Sequence, residues 1–199
     1  MKKIIVASNN NHKIEEIKEM LKELNFEVVS LKEANINIDI DENGSTFMEN
    51  AIIKAKAIYD ISDNSMVLAD DSGLVVEALN GEPGIYSARY SGVHGDDIAN
   101  NKKLIEKLKG VPFNERKAAF ICSMALIIDE NNIIKVEGKV EGNIVEDYRE
   151  IKGAFGYDPL FYVEKIKATF GEVSSEVKNS MSHRGRALEE LKKELEKVK

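Results

Sequence analysis

The stretch Leu68-Ala69-Asp70-Asp71-Ser72-Gly73-Leu74 sets two carboxylates, a hydroxyl and a glycine between two apolar runs. Acids in such a place carry a desolvation cost unless a cation or a tight hydrogen-bond network pairs with them. In an extended chain Asp70 and Asp71 point to opposite faces, so one acid serves a given site and the other is structural support. A divalent-cation site and a polar turn between two strands both fit these residues alone. Four further groups could share their chemistry. Ser8-Asn9-Asn10-Asn11-His12-Lys13 follows an apolar run and precedes a helix, the arrangement that aims backbone N–H groups and a helix dipole at an anion. An asparagine-rich helix cap fits the same residues. Glu42 closes an acidic segment ahead of a second helix on which Asn50 and Lys54 share a face. Glu42 could therefore be a metal ligand, or simply an acid near a helix N-terminus. In Gly153-Ala154-Phe155-Gly156-Tyr157-Asp158-Pro159 the aromatics could stack on a base that Asp158 hydrogen-bonds, or could belong to the core. Lys178 and the run Ser182-His183-Arg184 come last. Two basic residues in the first turn of a helix oppose its dipole, which makes sense if they hold an anion or a base carbonyl.

Positioning these groups takes a particular set of elements. Lys3 to Ala7 reads as a buried strand, followed by a helix with Ile14, Ile17, Leu21 and Leu24 on its apolar stripe. Phe26 to Leu31 reads as a second strand. Thr46 and Glu49 match a capping box for a helix that runs to about Ile61. Leu79 to Gly92 is a long loop rich in hydroxyls, of the length that is usually functional or mobile. Asp96 or Asp97 would cap a helix with Ile98, Leu104, Ile105 and Leu108 as its core stripe. Ala118 to Ile128 and Ile133 to Val140 flank the turn signal Asp129-Glu130-Asn131-Asn132 and predict an antiparallel hairpin. Gly142 marks a turn or bulge, and Ile144 to Tyr148 would continue the sheet. The last helix starts after Ser182 and carries Leu188, Leu191 and Leu195. The expected class is α/β with a mixed sheet.

Composition narrows the chemistry. The chain has 199 residues, 43% of them hydrophobic, which suits one domain over residues 1–199. A net charge of -7 argues against general nucleic-acid binding, which shows as a basic excess. The single cysteine, Cys122, lies in an apolar run and reads as a packing residue. The apolar start is too short for a signal peptide or a membrane span, so a cytoplasmic protein that binds no membrane is expected. His12, His94 and His183 are scattered without zinc spacing, and no nucleophile-elbow motif is present. A phosphate loop, a hard-metal carboxylate site and a base loop together point to a nucleoside triphosphate enzyme. Mg2+ fits best, since it takes oxygen ligands from one or two carboxylates and from substrate phosphates.

These residues also resemble a known family, the inosine triphosphate pyrophosphatases of the bacterial RdgB type. The matching stretches are Ala7 to Asn10 with Lys13, Ser45 to Lys54, Ala69 to Leu74, Gly84 to Gly92, Phe155 to Pro159 and Ser182 to Gly185. They keep the family's order and approximate spacing over nearly the whole chain. Asn9 stands where glycine is common, and Val177 replaces an acid often found before Lys178. The resemblance implies hydrolysis of the non-standard purine triphosphates ITP, dITP and XTP to the monophosphate and pyrophosphate, cleansing the nucleotide pool. It implies an elongated α/β fold with two lobes around a central cleft, a Mg2+ cofactor and a homodimer. By motif it assigns Ser8, Asn9, Asn10, Asn11, His12, Lys13, Asn50 and Ser72 to substrate binding. It makes Glu42 and Asp71 the metal ligands, with Asp71 also the general base, and Lys13 and Lys54 the catalytic cations. Phe155, Gly156, Tyr157, Asp158, Lys178, His183 and Arg184 would line the base pocket, with Arg184 or loop amides facing a 6-keto oxygen. A Maf-type pyrophosphatase acting on other modified nucleotides and a non-catalytic nucleotide-binding module are the alternatives.

Overall fold

Alternating apolar residues build the first half of the sheet. In the computed structural model, which describes residues 2–22, 24–63 and 65–197, β1 (Lys2–Val6) runs parallel to β2 (Phe26–Ser30) on one side and to β3 (Met66–Val76) on the other. Helical crossovers allow that parallel pairing. α1 (Asn11–Leu21) links β1 to β2, and α2 (Phe47–Tyr59) lies between β2 and β3. Ile4, Val6, Met66 and Leu68 bury against Ile14, Ile17 and Leu21 of α1, whereas Ile5, Ala7, Val67 and Ala69 bury against Ala51, Ala55 and Ile58 of α2. The period-two alternation of each strand thus feeds two separate cores, one per face.

The remaining elements are α3 (Asp97–Lys107), β4 (Lys117–Asp129), β5 (Asn132–Ile144), β6 (Phe161–Val163), β7 (Ala168–Thr169), α4 (Ser175–Asn179) and α5 (His183–Lys197). The sheet is seven-stranded in the order β2-β1-β3-β4-β5-β6-β7. It is mixed, because β5, β6 and β7 pair antiparallel. The chain separates into two units. The first comprises Met1–Asp71, Cys122–Gly138 and Arg184–Lys199; the second comprises Ser72–Ile121 and Lys139–His183. In the first, α5 adds Leu188, Leu191 and Leu195 to the α1 core. In the second, Leu74, Leu104, Phe120, Phe161 and Phe170 form the core. Among the described residues no helix is long and apolar enough to cross a membrane.

Several sequence expectations change. The stretch through Asp70 and Asp71 is not a turn: β3 passes straight through it as one 11-residue strand. Buried partners on both faces let the chain stay extended across two acids. Leu24 lies past the end of α1 and joins its core from the loop, and α2 stops at Tyr59, leaving Ile61 exposed. Residues 79–92 are not an open loop. Gly84–Arg89 forms a 3₁₀ helix, tied down by Ser87, whose Oγ accepts from Leu74 N at 2.9 Å and donates to the Gly84 carbonyl. Asp96 caps α3, and Ile98 is exposed, so the core stripe of that helix is Leu104 and Leu108 with Ile105 partly buried. Gly142 sits inside β5, not at a turn, and regular pairing stops at Ile144 rather than reaching Tyr148.

Candidate active site

β3 sorts its two acids by alternation. Asp70 follows Leu68 onto the α1 and α5 face, and Asp71 follows Ala69 onto the α2 face. Both lie just beyond the register pair Val6↔Leu68, past the carboxyl end of β1. With α1 and α2 on opposite faces, this is the place where an open α/β sheet offers its strand ends to a ligand.

On the α2 face the sequence brings four polar groups together. Asn50 and Lys54 lie one helical turn apart. The Asn50 amide donates to Asp71 Oδ2 at 3.0 Å, and its carbonyl oxygen accepts from Gly44 N at 2.8 Å. Lys54 Nζ lies 3.0 Å from Glu42 Oε2 and 3.7 Å from Asp71 Oδ1. Glu42 reaches this point from the irregular segment before α2, so one cation spans two carboxylates. Burial pushes the Asp71 carboxyl above its ordinary value, with the charge of Glu42 adding to it, against the opposing pull of Lys54 and Asn50. Burial also works against the Lys54 ammonium, but Asp71, Asp70 and Glu42 outweigh it and raise its pKa. Two carboxylates already gathered on a positive charge are a fitting donor set for a hard cation. Among the described residues no third acid, His or Cys joins them, which leaves the other positions of such an ion to substrate phosphates and water, as Mg2+ prefers.

On the opposite face Asp70 is fully buried. Lys13 Nζ lies 3.0 Å and Arg184 Nε 3.6 Å from its Oδ2. Burial alone would raise the Asp70 carboxyl, but Lys13, Arg184 and Lys54 hold it below the usual carboxylate range. Arg184 also pairs with Glu16 of α1. Two carboxylates therefore account for an arginine at the start of α5, where the helix dipole alone would disfavour it. Lys13, expected at phosphates, is turned to Asp70. Asn10 caps α1 by accepting from Lys13 N at 3.3 Å, and Ser8 Oγ accepts from Asn10 N. Asn9 and Asn11 are exposed. Asn9 is not among the residues with positive φ, so no glycine is required there. The side chain of His12 lies outside the described residues.

The second unit holds the other sequence-predicted groups. Tyr157 is buried, and its hydroxyl donates to the Ser87 carbonyl at 2.9 Å; its ring belongs to the core. Phe155 is 37% exposed. Asp158 is buried and accepts from Lys178 Nζ at 2.6 Å. His183 stacks on Phe120 with centroids 4.8 Å apart, inside the cluster of Phe120, Phe161 and Phe170. Ser72 is half-buried on β3. Sequence reasoning missed Glu16, which pairs with Arg184, and Asn101, whose amide donates to the Gly156 carbonyl. It saw Asp97 only as a helix cap, whereas Asp97 accepts from Gly156 N. The only signal was two amphipathic-helix polar residues one turn apart, which any solvated helix face also shows.

Fold and site together define an α/β protein with a paired-carboxylate centre beside a helix N-terminus at the strand ends of a parallel β-unit. The chain belongs to the Ham1 family, whose model matches residues 4–194. It is 52% identical to a dITP/XTP pyrophosphatase of Clostridium tetani over 197 residues, which is 98% of this chain and 96% of the relative. It is 53% identical to a dITP/XTP pyrophosphatase of Clostridium perfringens, covering 100% of this chain and 99% of that one. The solved structure of the Staphylococcus aureus Ham1 protein superposes with a TM-score of 0.89 at 41% identity, with both chains covered completely.

Proposed function

We propose that this protein hydrolyses the non-standard purine nucleoside triphosphates ITP, dITP and XTP to the monophosphate and pyrophosphate, with Mg2+ as cofactor. The observation that carries the reading is the convergence of Glu42, Asp71, Asn50 and Lys54 in a chain about half identical, end to end, to proteins named for this activity. Glu42 and Asp71 would hold the ion, which when bound supplies charge neutralisation at the phosphates and polarises the attacking water. Asn50 orients Asp71 from one side, leaving its raised carboxylate to take a proton from that water as the oxygen attacks the α-phosphorus. The bond from the α-phosphorus to its bridging oxygen breaks, and pyrophosphate leaves with the electron pair. Lys54, released from the carboxylates by substrate, compensates the charge that spreads over the phosphoryl oxygens. The first turn of α1, with Ser8 to Lys13, presents N–H groups to the triphosphate. Asp70 holds Lys13 and Arg184 in place rather than reacting.

Base recognition falls to the second unit, through Phe155 as a stacking surface and the Lys178–Asp158 pair as polar partners. A 6-keto oxygen accepts from a donor such as Lys178 Nζ. A 6-amino group would leave that donor unpaired, at about 1–3 kcal/mol. That is roughly 5–150-fold in selectivity. Arg184 is buried between Asp70 and Glu16, where it supports the site. We further place the enzyme in the cytoplasm, where its substrates are made, as one domain of two lobes that assembles as a homodimer. Sedimentation of the purified chain tests the dimer. Activity is tested with a panel of ITP, XTP, GTP, dTTP and UTP, with Mg2+ and with chelator, read for pyrophosphate and orthophosphate. Pyrophosphate from ITP and XTP is the expected result. Orthophosphate alone, or a preference for the pyrimidine nucleotides, would overturn the reading.

A further inference from the structure

Gly156 is held by both of its peptide groups. Asp97 Oδ2 accepts from Gly156 N at 2.8 Å, and Asn101 Nδ2 donates to the Gly156 carbonyl at 2.8 Å. Asp97 and Asn101 lie one turn apart on α3, so a single helix face grips both the N–H and the C=O of one residue. Asn101 is 1% exposed, and its hydrogen bond to the loop carbonyl offsets the cost of burying that amide. Gly156 itself has φ +57° with open space where a Cβ would be. The glycine is there for its backbone conformation, which the two side chains then lock. Directly after the grip, Tyr157 is fixed by its bond to Ser87 and Asp158 by Lys178. Phe155, by contrast, keeps an exposed ring.

We propose that Asp97 and Asn101 are positioning residues for nucleobase recognition: their two-point clamp on Gly156 fixes the loop that presents Phe155 and Asp158 to the purine. The inference rests on the pyrophosphatase reading. Both residues belong to the second unit, whereas Glu42 and Asp71, assigned to the phosphate chemistry, belong to the first. Loosening the clamp therefore weakens binding of substrate and transition state alike, which raises KM and leaves kcat nearly unchanged. A purely structural role would instead lower the melting temperature with both kinetic constants intact.

The test is steady-state pyrophosphate release from ITP by the full chain, with thermal melting in parallel. Asp97→Ala and Asn101→Ala should each raise KM roughly 5–10-fold, the value of one good hydrogen bond, with kcat within about twofold. Asp97→Asn, whose amide oxygen still accepts from Gly156 N, should return KM close to wild type. Unchanged KM in both folded alanine variants, or a fall in kcat at constant KM, would overturn the clamp. If an alanine variant does not fold, Asp97→Asn and Asp97→Ser decide, since only the first keeps an acceptor within reach. A higher KM in Asp97→Ser supports the clamp, and equal KM values refute it. A wild-type chain that turns over ITP while its variants keep their KM sinks the clamp alone. A wild-type chain that releases no pyrophosphate from ITP defeats the functional reading, and the clamp falls with it.

Discussion

Asp70 and Asp71 are adjacent, chemically identical and differently employed. Asp71 meets Asn50 at 3.0 Å and Lys54 at 3.7 Å, and its carboxyl is pushed up by burial. Asp71→Asn keeps the shape and an acceptor for the Asn50 amide, but removes the charge and the basicity. Pyrophosphate release from ITP should fall on the order of 10²–10⁴-fold, the usual share of a general base. Near-wild-type turnover would remove Asp71 from the chemistry. The split between the two acids was legible in the sequence, because strand alternation needs only the assumption that the stretch is extended. The identity of each partner was not. Lys13 reads as a phosphate ligand from its loop, and its ammonium pairs with Asp70. For Tyr157 the sequence leaves a stacking role and a core role open, and its hydroxyl bonds to the Ser87 carbonyl. Both outcomes depend on contacts between residues distant in sequence, which spacing along the chain does not encode.

Elements show the same division. The helices and hairpin strands followed from periodicity and from caps such as Thr46 and Asp96. Gly142 did not. It reads as a turn or a bulge, and it lies within β5, where an added Cβ would run into the Tyr162 carbonyl oxygen and meet the Phe161 ring at 2.9 Å. Here glycine is a device for close approach between β5 and β6, which pair at Asn143↔Tyr162 and Ile144↔Phe161. Gly142→Ala should push β6 away and destabilise by about 1–3 kcal/mol. For a chain of this size that lowers Tm by about 2–4 °C per kcal/mol. An unchanged melting curve would mean that β6 yields freely. A second element-scale effect concerns the corner after β2. Glu33 accepts from Lys18 of α1 at 2.7 and 2.8 Å and from Ser30 N at 2.7 Å. The Lys18 side chain first, then Ser30, lowers its carboxyl from 4.5 to about 2. A depressed carboxyl stabilises the fold fully above its unfolded value, and the contribution fades as pH falls through the folded one. Urea melts of wild type and Glu33→Gln should therefore differ most near neutrality and converge on acidification toward about pH 2. A gap that widens on acidification would refute the assignment.

At the scale of the molecule, stability is a small difference between large terms, about 5–15 kcal/mol for a typical domain. A single buried charge cluster can therefore decide whether the chain folds. The cluster around Asp70 joins three parts of the sequence: Lys13 and Glu16 from α1, Asp70 from β3 and Arg184 from α5. Burying these ions does not itself stabilise, since their desolvation offsets most of the attraction. Removing one carboxylate is different, because it leaves the buried Arg184 and the part-buried Lys13 with less negative charge than they need. Asp70→Asn should cost about 3–5 kcal/mol, a large part of the total, and lower Tm by about 6–20 °C. Asp71→Asn should leave Tm within a few degrees, because relieving a carboxyl already pushed up by burial costs the fold little. The two neighbouring substitutions then give opposite patterns, one in melting and one in turnover. If Asp70→Asn melts like wild type, the cluster is not what joins α1 and α5 to β3. In that case the apolar contacts of Ile14, Ile17, Leu188 and Leu191 with the sheet carry the first unit alone.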